Sequence, residues 1–65
     1  MEKIANTIRM RRLSQRLSQE KLAYLSGVTT RTVLAIENGH KCSVQTLMAL
    51  CDTLGLEMIV QERRT

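Results

Sequence analysis

His40, Cys42 and Cys51 are the imidazole and thiol side chains of the chain, the groups readiest to hold a transition metal or attack an electrophile, and a surplus of cations is the feature able to hold an anion. A structural zinc site takes four ligands, and no acidic or imidazole partner is spaced to complete one around His40 and Cys42. The nine-residue separation of Cys42 and Cys51 matches no zinc-ligand pattern. Two cysteines in a chain without a leader read as reduced thiols with structural or incidental roles. No nucleophile, base and orienter cluster in the sequence, and His40 has no carboxylate close by. The expectation is therefore no catalytic residue, no metal and no cofactor.

The cations are unevenly placed. Ten Lys and Arg stand against six Asp and Glu, and the net +4 is supplied before Leu17 by Lys3, Arg9, Arg11, Arg12 and Arg16 against Glu2. Basic charge on a small domain favours polyanions. A solvated basic helix that aids solubility has the same composition, so charge alone does not separate the two readings.

Positioning these groups falls to a short chain. Its 65 residues make one domain, 1–65. A domain of this size buries only about 60% of its unfolded surface, so association of two copies is a physical expectation. With no Pro, Phe or Trp the core must be aliphatic, Met and Cys, which at this spacing reads as all-helical. The longest apolar run is too short for a bilayer and no leader is visible, so a soluble, cytoplasmic protein without a membrane partner is expected.

A first helix is predicted from Glu2 to about Leu13, with Ile4, Ile8 and Leu13 as its buried stripe and Arg12, Gln15 and Arg16 at the negative end of its dipole. Ser18 caps a second helix, Gln19 to Ser26; Gly27 ends it and Thr29 opens a third, giving a two-helix unit over 19–38. Ala23 is small enough for the helices to cross closely, Gly27 can take positive φ, and Val28, Val33 and Ile36 form an apolar wedge. Such a unit presents one helix to a DNA groove. Glu20 stands two residues after Ser18, so Lys21 occupies the place of a capping-box Glu. Tyr24 and Leu25 face outward.

Asn38-Gly39 signals a turn, His40, Lys41 and Cys42 a loop, and Ser43 caps a fourth helix whose Val44, Leu47, Leu50, Cys51 and Leu54 recur at helical spacing before Gly55. Beyond Gly55 the period shortens: Leu56, Met58 and Val60 alternate with Glu57, Ile59 and Gln61, which predicts a short strand over 56–62. A lone strand needs a partner, and the same segment of a second subunit is the natural one, through Leu56, Met58, Ile59 and Val60. A frayed extended tail is the alternative.

From about Ile8 to Leu54 the chain resembles the lambda-repressor-like, Cro-type (XRE) helix-turn-helix domains. The resemblance is carried by Leu17-Ser18-Gln19-Glu20-Lys21-Leu22-Ala23, Ser26-Gly27-Val28-Thr29, Arg31-Thr32-Val33, Ile36-Glu37-Asn38-Gly39, Leu47 and Leu54-Gly55-Leu56. The ending Leu54 to Val60 is also similar to the HipB-type antitoxin branch, whose members dimerise through C-terminal strands. The resemblance implies a compact all-α, four-helix DNA-binding domain with a C-terminal strand pairing across a dimer. It implies base reading by Thr30, Arg31, Leu34 and Ala35 on the third helix, with Arg31 suited to guanine and Leu34 and Ala35 to thymine methyls. Thr30 can instead complete the helix start, and Leu34 can instead pack on a partner subunit.

Phosphate contacts are implied for Ser18, Gln19 and Lys21 at one side and for Asn38, Lys41, Ser43, Gln45 and Thr46 at the other, with His40 in a loop near phosphate. Arg12 and Glu37 occupy the positions of a partly buried family ion pair, which leaves Arg11 as the freer cation. The implied function is a homodimeric repressor on an inverted repeat of double-stranded DNA, acting at the nucleoid. The alternative is an antitoxin that also holds a toxin protein and regulates its own operon. An interaction module that kept the fold without DNA binding is a third reading, against which Arg31 and the net charge argue.

Overall fold

Hydroxyl caps begin three of the helices and one C-terminal motif ends all four. The computed structural model describes residues 2–59, in which α1 spans Glu2–Ser14, α2 Gln19–Ser26, α3 Thr30–Glu37 and α4 Val44–Leu54. Ser18, Thr29 and Ser43 are extended at the N-caps, and each side-chain oxygen accepts the backbone N–H three residues on.

At the other ends, a residue of positive φ lets the following N–H reach back five residues: Leu17 to Arg12 at 3.1 Å, Val28 to Ala23 at 3.0 Å, His40 to Ala35 at 3.0 Å and Leu56 to Cys51 at 2.8 Å. Gly27 and Gly55, both at φ 73°, take this left-handed conformation without a Cβ penalty. Arg16 takes it at φ 57° with one. At three of the four ends the residue after the turn is apolar, and Leu17, Val28 and Leu56 all fold back onto the core. Three of the four helix stops thus also contribute to packing.

α2 packs on α3 and α4, and α1 packs on α3 and α4. Ile8, Leu22, Ala23, Val33, Ile36, Leu47, Leu50, Cys51 and Leu54 form the core, with Cys42 half-buried beside them. Full burial of one such large aliphatic side chain contributes about 1.5–3 kcal/mol. Ala23 is buried beside Leu22 on α2, in one core cluster with Val33 and Ile36 of α3.

Some expectations are corrected. The buried stripe of α1 is Ala5, Ile8 and Arg12; Ile4 is 40% and Leu13 53% exposed. Leu13 follows Ile8 by five residues, which turns it about 140° from that face. Val44 is 65% exposed, because at the first position of α4 it lies beyond the elements that cover Leu47 and Leu50. Among the described residues there is no strand: Leu56 to Ile59 carry no regular structure within one chain, where no second strand is available to accept their backbone bonds. Leu56 is half-buried and Ile59 is exposed, while Val60 and the rest of the segment to 62 lie outside the described residues. No helix among the described residues is long and apolar enough to cross a membrane.

Candidate nucleic-acid interface

α3 is divided lengthwise. Val33, Ile36 and Glu37 are buried, whereas Thr30, Arg31 and Leu34 are exposed and Ala35 is half-buried. The helix starts cleanly because the Thr29 Oγ1 accepts the Thr32 N–H at 3.1 Å, with the two hydroxyls 2.9 Å apart. Thr30 is therefore spared from capping and stands at the first position of the helix with its side chain in solvent. A short helix held from one side by a wedge and open on the other can enter a major groove with its early residues leading.

Two helix starts lie next to this one in the chain. At α2, the Ser18 Oγ accepts the Lys21 N–H at 2.9 Å, which leaves the hydroxyl hydrogen free to donate. Lys21 is exposed and its Nζ stands 5.6 Å from the centre of the Tyr24 ring, a cation–π distance. Tyr24 itself is 78% exposed and Leu25 is exposed beside it. At α4, the Ser43 Oγ accepts the Thr46 N–H at 3.1 Å and donates to the Thr46 Oγ1 at 2.9 Å. The Thr46 hydroxyl hydrogen is left over, and Gln45, Lys41, His40 and Asn38 are all exposed in the same stretch of chain. Both starts combine oriented N–H groups with hydroxyl and cationic donors, the chemistry that holds a phosphate without reading a base.

Gln19 differs from its companions at the start of α2. Its Nε2 donates to the Glu37 Oε1 at 3.2 Å, so the amide is turned onto the protein. Glu37 also accepts from the Arg12 Nε at 2.6 Å and Nη2 at 2.9 Å, and the Arg12 Nη1 donates to the Leu17 carbonyl at 2.8 Å. Both members of this ion pair are buried, and every buried polar side-chain atom among the described residues has a partner. A buried charge left without such bonds would cost several kcal/mol, roughly 3–5 when one partner is removed.

Arg11 is exposed and so freer than the buried Arg12, but it too has a partner in the fold. Its Nε donates to the Leu54 carbonyl at 2.9 Å, and the Gln15 Nε2 donates to the same oxygen at 2.8 Å. These two side chains close the C-terminal end of α4, where the last carbonyls have no helical partner. Their spacing of four along α1 was the one signal for a shared target. Ser26 Oγ donates to Thr53 Oγ1 at 2.8 Å and ties α2 to α4, a contact with no sequence signature.

Cys42 and Cys51 are free thiols. Burial pushes the Cys42 thiol up, and pushes Cys51 up with added repulsion from Asp52 and Cys42, so both are held as neutral thiols. Among the described residues no three His, Cys, Asp or Glu side chains gather as a metal-holding group.

A family model described as helix-turn-helix matches residues 8–60, from the middle of α1 past the end of α4. No curated protein matches the chain. With that match covering most of its length and with the crossed α2–α3 pair in place, the chain belongs to the XRE-type helix-turn-helix family, a family of DNA-binding regulatory domains.

Proposed function

We propose that the protein is a sequence-specific DNA-binding repressor acting as a homodimer on an inverted repeat, with half-sites about 10 base pairs apart centre to centre. The observation that carries this reading is the division of α3, with Val33, Ile36 and Glu37 buried and Thr30, Arg31 and Leu34 exposed. Arg31 reads guanine through its two-pronged guanidinium, and Leu34 and Ala35 meet thymine methyls. Ser18, Lys21, Asn38, Lys41, Ser43, Gln45 and Thr46 hold the flanking phosphates. The dimer forms through the segment beginning at Leu56, supported by the exposed Met58 and Ile59 and by the small size of the domain. Selection of duplexes from a random pool, followed by binding against scrambled DNA across salt, tests the reading. Recovery of an inverted repeat is expected, and absence of any sequence preference sinks it.

A second reading, an antitoxin that also holds a toxin protein, draws on the exposure of Tyr24 and Leu25 on α2. Co-expression with the product of the adjacent gene decides it: a stable complex supports it, and two separately eluting proteins remove it.

A further inference from the structure

We propose that the buried Arg12–Glu37 pair is a positioning device for the DNA contact at the start of α2, acting through Gln19. The inference rests on the DNA-binding reading above and adds to it a division of labour. Glu37 is the last residue of α3 and Gln19 the first of α2, so the hydrogen bond between them joins the end of the groove-facing helix to the beginning of its partner. The carboxylate of Glu37 can only accept, so the amide nitrogen of Gln19 must be the atom facing it. That assigns the rest of the group: one amide hydrogen is committed to Glu37, and the second, with the backbone N–H groups of the first turn, remains for a phosphate.

A free glutamine side chain samples several rotamers and would lose that freedom on binding DNA. Gln19 has been ordered in advance, and the ordering entropy is met in the folding of the protein. Arg12 completes the device from α1. Two of its nitrogens neutralise Glu37, and a third holds the Leu17 carbonyl one residue before the Ser18 cap. Leu17 and Gln19, on either side of the cap, are thus held by the two ends of a single ion pair. The charge of Glu37 is cancelled where it would otherwise repel a phosphate near Gln19, so the pair supplies geometry without an unfavourable field.

The test uses the full chain and the duplex that the wild-type protein selects from a random pool. Replacing the pair together, Arg12→Met with Glu37→Met, removes the device while leaving no unpaired buried charge, and such exchanges commonly preserve folding. Binding is expected to weaken about three- to tenfold at an unchanged or higher melting temperature, the scale of coupling between contacting residues. The loss should shrink by at least threefold, on the ratio of affinities, when Gln19→Ala is already present. Phosphate ethylation interference should fade at the phosphate next to α2 and persist at those next to α4; a merely structural role would weaken both together. Equal losses with and without Gln19, or no loss, overturn the proposal while leaving the DNA-binding reading intact. If the wild-type protein selects no sequence, that reading falls instead, and this one with it. A measurement on the unaltered protein guards against a variant that fails to fold: the Gln19 side-chain amide should show a rigid NMR order parameter before DNA is added, and a mobile one overturns the proposal.

Discussion

Arg11 donates its Nε–H to the Leu54 carbonyl at 2.9 Å, so a cation on the last turn of α1 closes the last turn of α4, forty-three residues away in the chain. Gln15 donates to the same oxygen, so Arg11→Ala leaves that carbonyl with one partner. The substitution is expected to cost about 1 kcal/mol, the net size of an ordinary hydrogen bond, because the carbonyl keeps its second partner. In a domain of this size that lowers the melting temperature by roughly 4–8 °C, measurable by far-ultraviolet circular dichroism. Removing Arg11 and Gln15 together should cost more than the sum of the two, because the carbonyl is then left unpaired.

Arg16 holds a left-handed conformation that its three counterparts, Gly27, Gly39 and Gly55, hold without a Cβ. Arg16→Gly is expected to stabilise the fold by roughly 0.5–1 kcal/mol, the relieved strain being partly offset by a looser unfolded chain. Urea titration would show a higher midpoint at an unchanged slope. A lower midpoint would mean that the Arg16 side chain contributes more than its backbone strain costs.

Arg31→Ala and Lys41→Ala should separate two kinds of contact. Arg31→Ala is expected to relax discrimination at one base pair by about 1–3 kcal/mol, while Lys41→Ala weakens all sequences alike and reduces the salt slope by about 1. Salt titrations on the selected duplex and on a single-base variant of it measure both.

The thiols set an alkaline limit. Their folded pKa values lie above the unfolded ones, so the neutral thiols contribute stability that is intact below the ordinary thiol value of about 8.5. That contribution is lost as pH rises through the raised folded values. Denaturation midpoints should therefore be flat from neutral pH to about 8.5 and fall above it, with Cys51→Ala reducing the pH-dependent part. In the native protein a thiol reagent should label half-buried Cys42 before buried Cys51.

Local signals in the chain were the most legible. Ser18, Thr29 and Ser43 announce caps, and Gly27 and Gly55 announce stops, because these residue types solve a backbone problem within a few residues of themselves. The α1 face was harder to read, since apolar periodicity chose Ile4 and Leu13 while the buried positions include Arg12, a residue that enters the core only through Glu37. The partners of Arg11 and Gln19 within the fold were not legible for the same reason: a polar side chain at the surface has no sequence mark for whether it turns to solvent or to a carbonyl or carboxylate brought in from another helix. The ending from Leu56 was hardest, because a strand is a property of two segments and one chain supplies one of them. As for the interface, the exposed residues of α3 follow from the helical period once Val33 and Ile36 are known to be buried.

Tyr24 is the single aromatic residue of a chain without Trp or Phe, and it lies on the outer face of α2 under the Lys21 ammonium. Its ring is nearly as wet in the folded protein as in the unfolded one. Intrinsic fluorescence will therefore be almost blind to melting of the core and responsive to whatever docks on that one face. The molecule carries its own optical reporter for occupancy of α2, with no label to add and no background from the interior.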